Sequence, residues 1–317
     1  MAAPIAILIL TGPTASGKEG LALAAAERLG GEVLSADSMK VYRGMDLGTA
    51  KPSPEDRARV PHHLLDVADP GETFSTAQWV ALAGAAIADV HGRGRVPIVS
   101  GGTPLYLKAL LEGIFEGPSA DLAVRSRLEA EAVSRGTAAL HARLAEVDPA
   151  AAARIHPNDL RRIVRALEVW ELEGRPISEL QTQWGTRRGE YHPLAVGIRR
   201  DPADLDRRIA ARVQRMIESG LLEEVRRLAA RPQGLARGPR QALGYAEILA
   251  HLDGAMTWTE TVNAIILHTR QFARAQLKWL RRFEGLLWLD APPEARAEEL
   301  ADRIAALWKE PAHGAAR

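Results

Sequence analysis

The amino-acid sequence predicts an α/β fold, a P-loop parallel-sheet core with an inserted all-helical domain. Three observations carry that reading. Short apolar runs alternate with longer helical patterns over the first hundred residues, as successive βαβ units require. The first run leads directly into Gly12-Pro13-Thr14-Ala15-Ser16-Gly17-Lys18, a glycine-rich turn that opens a helix. After Gly117-Pro118 the chain turns Ala/Arg/Glu/Leu-rich with helical spacing to about Gly189, and apolar runs then return.

Taken in order, Ile5 to Leu10 reads as a fully buried strand, because it is apolar at every position rather than at alternate ones. Leu21 to Leu29 reads as an Ala-rich helix, Val33-Leu34-Ser35 as a second strand, and Leu64-Leu65-Asp66 as a weaker third. Thr76 to Val90 is a helix and Val96 to Val99 a strand whose length Pro97 limits. Between Asp121 and Gly189 the apolar stripes come from Leu122, Leu128, Leu140, Leu144, Ile155, Leu160, Ile163, Leu167 and Trp170. Leu194 to Ile198 resumes the sheet, and Leu286 to Leu289 is a final strand after further helix. The expected division is 1–118 for the first part of the core, 119–190 for the insertion, 191–310 for the return, and 311–317 for a frayed tail.

Composition bounds the chemistry. The 317 residues suit about two domains, and 46% hydrophobic with 26% charged residues can bury a sizeable core. Lys+Arg 41 against Asp+Glu 40 leaves +1, so binding to nucleic acid has to rest on where the arginines sit. The absence of cysteine removes disulfides, Cys-ligated zinc, iron–sulfur clusters and thiol catalysis, and fits a reducing cytoplasm. No membrane span is expected: Trp79 to Ala88 is broken by Gly84, ends at Asp89, and falls short of the ~20 residues a bilayer needs. Ile5 to Leu10 lacks a basic leader and a cleavage site.

The loop Gly12, Pro13, Thr14, Ala15, Ser16, Gly17, Lys18 is a cradle for two adjacent phosphates. Its glycines let backbone N–H groups turn inward, the helix N-terminus adds partial positive charge, and Lys18 adds a full one. Glu19 stands where a Ser or Thr hydroxyl usually holds Mg²⁺. Its carboxylate is a candidate Mg²⁺ ligand, or else an exposed helix residue beside a metal served by another group. A nucleotide hydrolase would also carry an apolar strand ending in Asp. Val96 to Val99 ends instead in Ser100-Gly101-Gly102-Thr103, and Asp66 is only a weak substitute. A cradle without hydrolytic equipment suggests diphosphate bound as a leaving group. Asp37 follows the second strand about twenty residues past the loop, where a parallel sheet would aim it at the same crevice. It reads as a general base, with a structural carboxylate or helix N-cap as the alternative.

These residues resemble the tRNA dimethylallyltransferases. The loop matches that family's diphosphate loop, Asp37-Ser38-Met39 with Val41-Tyr42-Arg43-Gly44-Met45-Asp46 its second signature, and Gly48-Thr49-Ala50-Lys51-Pro52 its third. His62-His63-Leu64-Leu65-Asp66, Gly101-Gly102-Thr103, Asp159-Leu160-Arg161-Arg162, Gly244-Tyr245 and Thr269-Arg270-Gln271-Phe272-Ala273-Arg274 with Gln276 continue the match in order. The departures are Glu19 for Thr or Ser, Lys40 for Gln, Pro104 for Gly and Ala275 for a basic residue.

The resemblance implies transfer of a dimethylallyl group from its diphosphate to the exocyclic amine of the adenosine 3′ to the anticodon, in tRNAs reading codons that begin with U. It implies Mg²⁺ as cofactor, Asp37, Thr14, Thr103 and Arg212 as catalytic residues, and an insertion that clamps the anticodon stem-loop. Contacts to tRNA are implied for Asp37, Ser38, Met39, Lys40, Thr103, Arg125, Asn158, Asp159, Leu160, Arg161 and Arg162. Arg208 and Arg212 lie four apart on one helix face, and Arg212 is the expected diphosphate contact. Further arginines at 154, 165, 270, 274, 281 and 282 suit phosphate, while Trp279 suits a core better than a stacking platform. His62 and His63 lack spaced partners and read as structural rather than as a zinc site. A cytoplasmic monomer is the expected state. The competing readings are a small-molecule P-loop kinase and a tRNA-binding homologue of weak activity.

Overall fold

A computed structural model describes residues 3–115, 117–118, 120–181 and 185–310, so the expected tail at 311–317 lies outside the described residues. The chain divides into two compact units, one made of the residues up to Leu111 together with those from Arg188 onward, the other of Glu112–Arg187.

The first unit opens with β1 (Ile5–Thr11), α1 (Lys18–Leu29), β2 (Gly31–Ser35), α2 (Pro54–Arg59), β3 (His62–His63), α3 (Thr76–Gly92), β4 (Val96–Gly101) and α4 (Pro104–Glu112). The second unit holds α5 (Leu122–Arg135), α6 (Thr137–Val147), α7 (Pro149–Arg154), α8 (Leu160–Glu173) and α9 (Ile177–Leu180). The first unit resumes with β5 (Tyr191–Arg199), α10 (Pro202–Glu218), α11 (Leu221–Ala229), α12 (Arg237–Arg240), α13 (Tyr245–Leu252), α14 (Trp258–Leu280), β6 (Leu287–Asp290) and α15 (Ala297–Lys309).

All strand pairs are parallel, in the order β3-β2-β4-β1-β5-β6. The continuous apolar run of β1 follows from its place between β4 and β5 with both faces covered. Because side chains alternate across a strand, Ile7 and Ile9 enter one core layer with Leu34, Trp79, Val99, Leu107 and Tyr245. Leu8 and Leu10 enter the other with Leu21, Ile98, Val196, Ile304 and Trp308. Each such side chain contributes about 1.5–3 kcal/mol on burial. Trp79 also donates its indole N–H to the Ser35 carbonyl (3.0 Å) and stacks on Tyr106 with ring centres 4.4 Å apart. Pro97 is tolerated because pairing with β1 begins only at Ile98.

Local signals set the helix ends. Helix α1 starts at Lys18 rather than Leu21 and stops at Gly30, whose φ of 62° only a residue without Cβ adopts easily. Ser75 with Gln78 and Thr257 with Glu260 form capping boxes on α3 and α14. The expected strand at Leu64 to Asp66 is not one. Leu64 (φ 63°) and Asp66 (φ 59°) take left-handed backbone that turns the chain out of the sheet, and the two-residue β3 precedes them. Asp66 pairs there with Lys51 and Arg57, so it does not serve as a strand-end acid beside the phosphate loop. The last strand begins at Leu287 rather than Leu286.

The second unit packs around Leu128, Leu140, Leu144, Ile163, Leu167 and Val169, as helical spacing predicts. Leu122 departs from that stripe and is 74% exposed at the first turn of α5.

Candidate active site

Parallel strands bring their carboxyl ends to one edge, and four segments that form the site leave from there. The phosphate loop follows β1, the Asp37 turn follows β2, Gly102 and Thr103 follow β4, and Arg200 follows β5. The order β2-β4-β1-β5 makes these exits neighbours.

The loop is held from outside. Arg200 Nε donates to the Ser16 carbonyl at 2.7 Å, and Arg208 Nε to the Ala15 carbonyl at 3.0 Å. A trans peptide points its N–H opposite its carbonyl, so the Gly17 N–H faces away from Arg200. Ala15 (φ 62°) and Gly17 (φ 92°) supply the left-handed backbone that this turn needs. Gln276 accepts from the Thr14 N–H (2.8 Å) and donates to the Gly102 carbonyl (2.6 Å), tying the loop to the end of β4. Arg212 donates to the Thr14 hydroxyl at 2.9 Å. Ser16 Oγ is buried with no partner among the described residues.

Thr103 Oγ1 accepts from the Ser38 N–H at 3.1 Å, fixing the Asp37 turn against the end of β4. Asp37 Oδ1 accepts from Met39 N (2.8 Å) and Lys40 N (3.3 Å), leaving Oδ2 outside the turn. Gly101 permits this approach: a Cβ there would lie 2.1 Å from the Ala36 carbonyl oxygen. The turn thus brings Asp37, Ser38, Met39, Lys40 and Thr103 together, beside Gly12 to Lys18 and Arg212.

The site is electropositive. Burial lowers the Lys18 ammonium to about 8; Glu19 opposes that shift, while Lys40 and Arg212 add to it. Burial also lowers the Arg212 guanidinium, against the pull of Glu19 and Asp37. Glu19 ion-pairs with Lys40 at 2.9 Å. Burial raises its carboxyl, but Lys40 and Lys18 outweigh that and hold it below the ordinary carboxylate range. The expected Mg²⁺ ligand therefore has a protein cation as partner, and among the described residues no group of three or more His, Cys, Asp or Glu could cage a metal.

A model of the IPP transferase family matches residues 40–283. The chain belongs to that family. It is 52% identical over 299 residues to the tRNA dimethylallyltransferase of Anaeromyxobacter dehalogenans, covering 94% of this chain and 99% of the relative. It is 48% identical over 286 residues to that of Geobacter sulfurreducens, covering 90% and 92%. Among solved structures, the tRNA isopentenylpyrophosphate transferase of Bacillus halodurans superposes with a TM-score of 0.70 at 39% identity, over 95% of each chain. A eukaryotic dimethylallyltransferase described as acting on tRNA superposes with a TM-score of 0.80 at 27% identity, over 95% of this chain and 77% of that one.

Within this IPP transferase, the candidate RNA residues of the second unit divide. Asn158, Arg161 and Arg162 are exposed at the start of α8, where Asp159 caps the helix by accepting from Arg162 N (3.3 Å) and Leu160 is half-buried. Arg125 instead makes a bidentate pair with the fully buried Glu168 (2.8 and 2.9 Å), which also accepts from Arg165 at 2.6 Å and from the Asp121 N–H at 2.8 Å. That network gives Arg125 and Arg165 a structural duty, since an unpaired buried carboxylate would be costly. Trp279 is half-buried against Phe283. His63 pairs with Glu32 at 2.7 Å and His62 with the Val60 carbonyl at 2.7 Å, so both are structural.

Sequence reasoning gave no role to Arg200, Gln276 or Glu224. Only the position of Arg200 directly past a strand beside β1 signalled the first. Glu224, 4% exposed on α11, accepts from the backbone N–H groups of Asp46 (3.0 Å), Leu47 (2.8 Å) and Gly48 (3.1 Å) and from the Tyr245 hydroxyl (2.6 Å).

Proposed function

We propose that the chain transfers the dimethylallyl group of dimethylallyl diphosphate to the exocyclic amine of the adenosine 3′ to the anticodon, in tRNAs reading codons that begin with U. The observation that carries this is a phosphate loop ringed by Lys18, Lys40 and Arg212, with Asp37 on the next exit of the sheet and no acidic residue ending β4. An allylic carbon tolerates positive charge as its bond to diphosphate breaks, so the main lever is stabilising charge on the departing group. Lys18, Arg212 and the loop amides do this. Arg200 and Arg208 keep those amides in place and Gln276 fixes Thr14, so little reorganisation accompanies the reaction.

Asp37 takes the amine proton as the C–N bond forms, its turn locked by Met39 N and Thr103. The adenine must leave its stack to reach Asp37. Glu19, once it leaves Lys40, is the residue that would hold a Mg²⁺, since such a site needs one or two carboxylates rather than a full cage. When bound, that ion would neutralise charge on the diphosphate. The exposed basic start of α8, with Asn158, Arg161 and Arg162, takes the RNA phosphates. No helix among the described residues is long and apolar enough to cross a membrane. A tRNA substrate supports the reading of a cytoplasmic activity, with a monomer as its working state.

Incubation with dimethylallyl diphosphate, Mg²⁺ and unmodified tRNA, followed by digestion to nucleosides and mass spectrometry, tests this. Isopentenyladenosine beside the anticodon is expected. Phosphoryl transfer from ATP to a small acceptor without tRNA would favour a kinase, and RNA binding without product a homologue of weak activity.

A further inference from the structure

We propose that Lys40 is a second ammonium of the diphosphate cradle and that Glu19 is its placeholder, an anion that the substrate displaces. The inference rests on the reading of residues 12–18 as a diphosphate site and assigns it a residue expected only to touch RNA.

The asymmetry of the pair carries the argument. Lys40 Nζ lies 2.9 Å from Glu19 Oε1, yet the lysine side chain is 3% exposed and the glutamate 41%. A buried ammonium needs an anion, because leaving it unpaired costs several kcal/mol. The cation is embedded in the protein: its backbone N–H is held by Asp37 Oδ1 (3.3 Å), and its side chain is buried. The carboxylate already reaches solvent, so it is the member that can turn toward water once another anion takes its place beside Lys40. The exchangeable member of the pair is therefore the anion.

Glu19 follows Lys18 directly in the first turn of α1, so the anion it presents to Lys40 comes from the segment that ends the loop. A diphosphate beside Lys18 brings more negative charge than one carboxylate and satisfies both ammoniums. Glu19 is then released to water or to a divalent ion. Lys40 lies three residues beyond Asp37 in the same turn, so occupancy of the cradle bears on the segment that carries the proposed base.

Calorimetric titration with inorganic pyrophosphate, in EDTA and in Mg²⁺, tests this without turnover. In EDTA, Lys40→Met should weaken binding about tenfold, as loss of a charge-assisted hydrogen bond does. Lys40→Arg should stay within about threefold of the wild type, and Glu19→Gln should bind tighter. A loss smaller than about fivefold in Lys40→Met would overturn the proposal, leaving Lys40 only as the neutralising partner of Glu19. If melting shows that Lys40→Met does not fold, Glu19→Gln decides: unchanged or weaker pyrophosphate binding overturns the proposal. Failure of the wild type to bind pyrophosphate in both buffers would instead remove the diphosphate site itself.

Discussion

Replacing Glu224 by Gln tests how the third signature segment is held. The carboxylate accepts four hydrogen bonds, Oε2 from Asp46 N and Leu47 N, Oε1 from Gly48 N and the Tyr245 hydroxyl. Gly48 packs so closely that a Cβ would meet the Tyr245 ring at 2.4 Å, so the segment cannot slide to find other partners. A glutamine keeps one oxygen and presents an NH₂ at the other position. Its best orientation puts the NH₂ toward Tyr245, whose hydroxyl can rotate to accept, but the Gly48 N–H then faces another donor. One orphaned buried amide costs about 1–3 kcal/mol, and the remaining bonds lose their charge assistance, so the total is about 3 kcal/mol. At about 2–4 °C per kcal/mol for a unit of this size, the melting midpoint should fall by about 6–12 °C. Tyr245→Phe removes only one donor and should cost about 1 kcal/mol. Differential scanning fluorimetry reads both. A Glu224→Gln midpoint within about 2 °C of the wild type would refute the reasoning.

Other outcomes follow from the same geometry. Lys18 ionises near 8 in the folded protein against an unfolded value of 10.5, so the unfolded chain binds more protons between these values, and stability of the free protein should rise with pH across that window. Only the ammonium attracts diphosphate, so pyrophosphate affinity should fall as pH passes about 8, and a flat titration profile would contradict this. Asp37→Asn keeps an oxygen for Met39 N while removing the base; turnover should drop about 10²-fold or more with pyrophosphate affinity retained. Single-turnover product analysis that finds wild-type rates would take Asp37 out of the chemistry. Gly101→Ala places a Cβ 2.1 Å from the Ala36 carbonyl oxygen, so the Asp37 turn must move. Activity should fall well beyond any loss of stability, which paired rate and melting measurements would separate.

The phosphate loop, the core strands β1, β4 and β5, and the all-helical character of the second unit were legible because each rests on a local pattern. A continuous apolar run marks a strand buried on both faces, helical spacing marks a one-sided face, and glycines at fixed offsets mark a turn with positive φ. Leu64 to Asp66 misled because two leucines look like a strand, whereas the backbone there is left-handed at φ 63° and 59° and Asp66 is engaged by Lys51 and Arg57, partners outside that segment. Leu122 misled for a related reason, since helical spacing does not say where a helix leaves its core.

Sequence alone thus determined the parallel-sheet core, the glycine-rich turn of residues 12–18 that follows β1, and the position of Asp37 past β2. Tertiary structure decided who pairs with whom. Arg200 and Gln276 reach the loop from 184 and 262 residues away, and Glu224 reaches Asp46 across 178. Such contacts leave no periodic trace, because a hydrogen bond constrains two side chains in space and neither of their neighbours in the chain. The same holds for Glu19 and Lys40: each is an ordinary charge in its own segment, and only the exits of β1 and β2 at one edge of the sheet, flanking β4 on either side, make them an ion pair.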